Sequence, residues 1–185
     1  MQRRMLSLLA VCCTGVVGIA AAQTPSARFG LGGGVTIPVG TYKDADKLGW
    51  HGLGLVQFAL PASPVDIRVE GMFSRTSHDS TKILYTGNTQ LYGGLVSVVY
   101  NVGPKLMARP YVLAGAGAYH DKTSITSGGS TSEASETKFA FGGGGGVTVG
   151  MGQAHLFVEA RWVSVRETGG SLSFFPITAG VTFGK

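Results

Sequence analysis

Eight stretches of this chain alternate apolar and polar residues with a period of two, each bounded by turn-forming residues. Successive side chains of a strand point to opposite faces, so this period describes strands with one apolar face. The runs cover residues 28–37, 50–60, 65–75, 89–102, 111–121, 137–149, 155–165 and 173–183. Glycine supplies 30 of 185 residues without a Gly-X-Y period, which excludes collagen. It also argues against an all-helical domain, because each interior glycine costs a helix about 1 kcal/mol. The connections alternate in length. Those after the second, fourth and sixth runs are short (61–64, 103–110, 150–154). Those after the first, third and fifth are longer and polar (38–49, 76–88, 122–136), and the last, 166–172, is intermediate.

The N-terminus has a different character. Arg3 and Arg4 precede an apolar stretch, and Ala20-Ala21-Ala22 stand before Gln23. A positive start, an apolar centre and small residues at the end describe a secretory signal, cleaved after Ala22. Removing 22 of the 185 residues leaves 163 and lowers the net charge from +5 to +3, since only Arg3 and Arg4 go with the segment. Cys12 and Cys13 are the two cysteines, and both leave as well. The exported protein, residues 23–185, is read as one domain with no disulfide, thiol nucleophile or cysteine-based metal site.

The faces of the runs show which way they look. In 65–75, Asp66, Arg68 and Glu70 share one face while Val65, Ile67, Val69 and Phe73 share the other. In 155–165, Glu159 and Arg161 oppose Leu156, Val158, Ala160 and Trp162. An outward charge would cost roughly 2–4 kcal/mol at the centre of a bilayer, so in a membrane the charged faces turn inward. The outward set elsewhere is then Phe29, Leu31, Val35 and Ile37; Tyr92, Val96, Val98 and Tyr100; Tyr111, Leu113 and Tyr119; Phe139, Phe141, Val147 and Val149; Phe175, Ile177, Val181 and Phe183. Run 50–60 is apolar on both faces and its direction stays open. Aromatic residues gather at the run ends. Phe29, Phe58, Tyr100, Tyr111 and Phe183 lie near the short turns, and Trp50, Phe73, Tyr92, Tyr119, Phe139, Trp162 and Phe175 near the long loops. Two such rings match the two interfaces of a bilayer.

A membrane-crossing strand needs about 9–11 residues, so eight require roughly 72–88, which 163 accommodate. Backbone groups in lipid must all be paired, which forces the sheet to close. The predicted fold is an all-β, eight-stranded antiparallel up-and-down transmembrane β-barrel, with short turns on one side and longer loops on the other. The signal, the eight runs, the longer outer loops and a last strand bearing Phe175 and Phe183 resemble the small outer-membrane barrel families typified by OmpA, OmpX and the opacity proteins, over about residues 27–185. The stretch from Gly30 to Gly40 (GLGGGVTIPVG) resembles a first strand and loop entry of that group. The resemblance implies a Gram-negative outer membrane and insertion by the barrel-assembly machinery. It departs at the end of the chain, where Phe183 is followed by Gly184 and Lys185 instead of ending the protein. It departs again in lacking the peptidoglycan-binding domain of the OmpA type, so cell-wall tethering is not implied.

Candidate chemistry is sparse. Asp66, Arg68, Glu70, Glu159 and Arg161 should meet inside the barrel and form a salt-bridge plug, the alternative being a gated ion path or an acid–base site. The run Gly142–Gly146 lies within a strand pattern, and no phosphate-binding loop motif occurs, so these glycines are read as making room for inward Arg and Glu. His51, His78, His120 and His155 lack metal-ligand spacing and are read as solvated. No catalytic set, cofactor or metal site is expected. The outer loops and rims carry seven cations (Lys43, Lys47, Arg75, Lys82, Lys122, Lys138, Arg166) and seven anions (Asp44, Asp46, Asp79, Asp121, Glu133, Glu136, Glu167), which leaves no basic stripe for nucleic acid.

The expected role is non-enzymatic. The barrel would present loops 38–49, 76–88, 122–136 and 166–172 for adhesion, lipopolysaccharide contact or partner binding, with outer-membrane lipids around its wall. Three alternatives stand beside this reading. One is a narrow conduit for small solutes, apolar ones among them, suggested by inward Leu53, Leu55 and Phe157. Another is a barrel-type lipid-modifying enzyme using His78 and Ser80. The third is a soluble periplasmic ligand-binding barrel.

Overall fold

The computed structural model describes residues 26–40, 47–77, 86–103, 107–127, 130–167 and 170–184. The segment read as a signal, residues 1–22, lies outside them. Eight strands form a closed barrel in which each pairs antiparallel with its neighbours in sequence and β1 closes on β8. They are β1 (Ser26–Val39), β2 (Gly49–Ala59), β3 (Val65–Ser77), β4 (Thr86–Asn101), β5 (Ala108–Ser127), β6 (Ser130–Met151), β7 (Ala154–Glu167) and β8 (Gly170–Phe183). Closure leaves no strand edge unpaired, the condition lipid imposes on backbone N–H and C=O groups. No helix of the described residues is long and apolar enough to cross a membrane.

The register sets the tilt. Starting at Phe29 and stepping through Val56, Val69, Val96, Ala116, Phe141, Ser164 and Ser173, the pairing returns to β1 at Val39, ten residues further along. A stagger of this size over eight strands corresponds to a tilt of roughly 40° and an interior just wide enough for side chains.

Turn chemistry differs between the two ends. At the short-turn end β6 and β7 are joined at Gly152, whose φ of 70° suits a tight hairpin. The β2–β3 turn is tied to β4, because both the backbone N–H and the side-chain amide of Asn101 donate to the Pro64 carbonyl.

At the other end one sequence expectation is corrected. Residues 122–136 are not an irregular loop, because β5 and β6 stay paired as far as Ser127–Ser130. Thr86 of β4 still pairs with Thr126, so three strands project together beyond the barrel. Serine and threonine pair well in a strand that has left the bilayer, where an apolar face is no longer required. The 166–172 connection shortens in the same way, with Glu167 paired to Gly170. Within the other two predicted loops, residues 41–46 and 78–85 lie outside the described residues.

Candidate functional site: the lumen and its two ends

The charged faces of β3 and β7 meet in the middle of the lumen. Arg161 binds Glu159 through Nε and grips Glu70 with both terminal nitrogens, Nη2 at 2.6 Å. Arg68 reaches Glu159 with Nη1 at 2.6 Å and donates Nε and Nη2 to Gln57 Oε1 at 3.0 and 2.9 Å. Gln57 in turn donates to Asp66 at 2.6 Å, and Asn101 donates to the same oxygen at 3.0 Å. Tyr111 closes the group. Its hydroxyl donates to Glu159 at 2.7 Å, and the Arg68 guanidinium lies 5.3 Å from its ring centroid. All five predicted lumen residues are therefore joined, and all are buried. Such pairs offset their desolvation only when the charges are well hydrogen-bonded, and here every guanidinium nitrogen of Arg68 and Arg161 finds an acceptor. Gln57, Asn101 and Tyr111 are members the sequence reading missed. Their signal was parity, since each lies on the same face as a charged or histidine residue of its own strand or a neighbour.

Tyr111, Leu113 and Tyr119 correct the sequence reading. They are buried inside the barrel at 3%, 5% and 1% exposure, not on its outer wall, so Tyr111 and Tyr119 leave the set of interface aromatics. Inward-facing glycines make their room. A Cβ on Gly146 would lie 2.6 Å from the Tyr111 hydroxyl, and one on Gly93 would lie 2.8 Å from the Tyr119 ring. The same device seats Phe157 against Gly180 and Arg161 against Gly144.

Toward the longer-loop end the lumen is packed with Leu53, Leu55, Met72, Leu91, Leu95, Tyr119, Val163, Val165 and Phe174, and Phe157 extends this cluster to the edge of the short-turn side. The direction of β2, open in the sequence, is thereby settled: His51, Leu53, Leu55 and Gln57 face inward. His51 is not solvated. It is 2% exposed, with Nδ1 3.0 Å from Thr36 Oγ1 and Nε2 2.8 Å from Thr178 Oγ1. His120 bonds Thr137 Oγ1 at 2.8 Å, His155 faces the short-turn mouth, and His78 lies outside the described residues. Among the described residues no group of His, Cys, Asp and Glu is placed to hold a metal ion.

The outer wall carries the other ten predicted aromatics. Phe29, Phe58, Tyr100 and Phe183 are exposed toward the short-turn end. Trp50, Phe73, Tyr92, Phe139, Trp162 and Phe175 are exposed toward the other. Trp50 stacks obliquely on Phe73 at 5.5 Å, and Trp162 meets Phe141 edge-on at 5.7 Å. Between the two groups the outward residues are apolar or glycine, with no Asp, Glu, Lys or Arg among the described ones. Outward Arg75, Lys122 and Arg166 all lie beyond the second aromatic group, with Arg166 over the Phe141 ring at 6.0 Å.

A closed, charge-filled barrel with an apolar outer band defines a membrane β-barrel. Residues 7–183 match the model of the outer membrane protein beta-barrel domain, and the chain belongs to that family. It is an outer-membrane protein. No curated protein sequence matches the chain. Among solved structures it is similar to Neisserial surface protein A (16% identity, TM-score 0.61, covering 86% of this chain and 97% of that one). It is also similar to Ail, the attachment invasion locus protein of Yersinia pestis (18%, TM-score 0.56, 87% and 100%). A third is a major outer membrane protein from Thermus thermophilus (12%, TM-score 0.60, 86% and 99%). At these identities the similarity is one of fold.

Proposed function

We propose that this protein is a non-enzymatic surface barrel whose work is done at its longer-loop end, by contact with lipopolysaccharide or a partner. The observation that carries this reading is a lumen closed from its middle to the longer-loop end. The Glu70–Arg161–Glu159–Arg68 chain and the apolar packing beyond it block the passage, and the strands β4, β5 and β6 extend past the rim. Material invested outside the bilayer, above a sealed wall, suits contact better than transport. Arg75, Lys122 and Arg166 stand just beyond the second aromatic ring, the height at which lipid phosphates sit. Among the relatives in fold, Ail has been solved with the heparin analogue sucrose octasulfate. An anionic saccharide is thus one class of ligand to offer this chain.

In this reading residues 1–22 are a cleaved signal, the ten outward aromatics anchor the barrel at the two interfaces, and the barrel-assembly machinery inserts it. Loops 38–49, 76–88, 122–136 and 166–172 form the contact surface, the third as a projecting hairpin.

The test compares the folded barrel, reconstituted in phosphocholine vesicles, with its Arg75→Gln/Arg166→Gln variant. Lipopolysaccharide retention that falls several-fold in the variant supports the proposal. Equal retention by both, together with solute flux through the wild type in planar bilayers, favours the conduit instead. A changed lipid A mass spectrum in cells carrying the protein favours the lipid-modifying enzyme.

A further inference from the structure

The opposite end of the lumen is built differently. Beneath the Glu159 network the barrel opens into a cavity of about 750 Å³ that reaches the short-turn mouth. That volume lies in the range of small-molecule sites. Three buried side-chain atoms that find no hydrogen-bond partner among the described residues belong to its lining: Arg28 Nε, Arg109 Nε and His155 Nδ1. Arg28 and Arg109 form no ion pair or hydrogen bond with any described group. Arg28 sits on β1 and Arg109 on β5, four strands apart and so on opposite walls of an eight-strand barrel, both at the strand ends nearest the short turns.

The charge count favours an anion. Among the described residues the charged groups facing the cavity are Arg28, Arg68, Arg109 and Asp66, with His155 beside them. Arg68 is matched by Glu159. Asp66 is occupied by the amides of Gln57 and Asn101. Two unmatched guanidinium groups thus confront one carboxylate already engaged. Guanidinium forks recognise phosphate and carboxylate groups in two-pronged fashion, and burial strengthens such bonds.

We propose that the short-turn mouth is a binding site for a small oxyanion, held between Arg28 and Arg109 with His155 as a third contact. The face is periplasmic in bacterial barrels of this kind, so the ligand is a periplasmic phosphate- or carboxylate-bearing solute. This site is separate from the rim invoked above, and neither proposal depends on the other.

Calorimetric titration of the full folded barrel in phosphocholine nanodiscs, with pyrophosphate and then citrate as probes, tests the site. Saturable binding near one per barrel is expected, weakened about tenfold by Arg28→Gln or by Arg109→Gln and abolished by both together. The Arg75→Gln/Arg166→Gln variant should bind as the wild type does. Heat-dependent gel mobility confirms that every variant is folded. Repeating the titration in nanodiscs containing phosphatidylglycerol separates two sources of the same chemistry. Unchanged affinity identifies a soluble anion, and weakened affinity identifies competing headgroups. No binding of either probe, or binding that survives the double Arg28/Arg109 variant, overturns the proposal.

Discussion

The two halves of the lumen share one wall and differ in how their polar groups are matched. In the half toward the loops, His51 bridges Thr36 and Thr178, Thr36 contacts Ser74 at 2.9 Å, and apolar side chains fill the space between. In the half toward the short turns, a cavity of about 750 Å³ is left, with Arg28 and Arg109 facing it unmatched. Between them lies the Glu159 network. The contrast shows that a narrow barrel does not have to be uniformly plugged. Tyr119 over Gly93 and Arg161 over Gly144, with the apolar side chains around them, close one region, while the region toward the short turns keeps a chamber.

If Glu159 is the keystone of the boundary, its loss should have the largest effect of any lumen substitution. It is 1% exposed and accepts from Arg68, Arg161 and Tyr111. Glu159→Ala would leave two buried guanidinium groups short of an acceptor, a change that costs about 3–5 kcal/mol. Urea unfolding in lipid vesicles, followed by gel mobility, measures it. A loss below about 1 kcal/mol would mean that water solvates the network and that the boundary is not sealed.

A smaller effect separates the two faces of the wall. A Cβ on inward Gly117 would collide with the Gly94 carbonyl oxygen of the adjoining strand, whereas on outward Gly54 the nearest atom is 3.7 Å away, on Leu31. Gly117→Ala is therefore expected to cost about 1–3 kcal/mol, the usual range for overpacking. Gly54→Ala should be neutral or slightly stabilising, since alanine restricts the unfolded chain more than glycine does. Equal costs at the two positions would show that strand curvature, and not the packing of the lumen, explains the inner glycines.

Much of this was legible from the chain, and the misreadings have physical causes. Period-two patterning located all eight strands, and the parity of Asp66, Arg68, Glu70, Glu159 and Arg161 oriented β3 and β7, because a charge has only one tolerable direction in lipid. In β5 the apolar bulk of Tyr111, Leu113 and Tyr119 points outward by pattern, whereas Arg109 and Asp121 of the same parity point inward, and the charges decide. An aromatic ring suits either side of a narrow barrel, whereas an arginine does not. The long β5–β6 hairpin was hidden because its Ser- and Thr-rich sequence has no apolar face outside the bilayer. The short-turn chamber was not readable at all. Arg28 and Arg109 stand 81 positions apart in the chain; the up-and-down topology puts both at one mouth, but only the packed lumen shows a cavity between them and no acceptor for either Nε among the described residues.

The smallest expected effect distinguishes a chamber from an extension of the plug. Arg28→Gln and Arg109→Gln remove a charge that no described residue pairs with, so unliganded stability should change by no more than about 0.5 kcal/mol, the range of substitutions that break no packed or paired feature. Any change should be toward greater stability, because the excess positive charge at the mouth is relieved. With a saturating anion the order reverses: the wild type gains stability by mass action, as any ligand that binds only the folded state must confer, and the variants gain less. Urea midpoints with and without pyrophosphate give both numbers in one series. A loss in Arg28→Gln as large as that in Glu159→Ala would place Arg28 within the sealed network, and the two halves of the lumen would then differ in degree and not in kind.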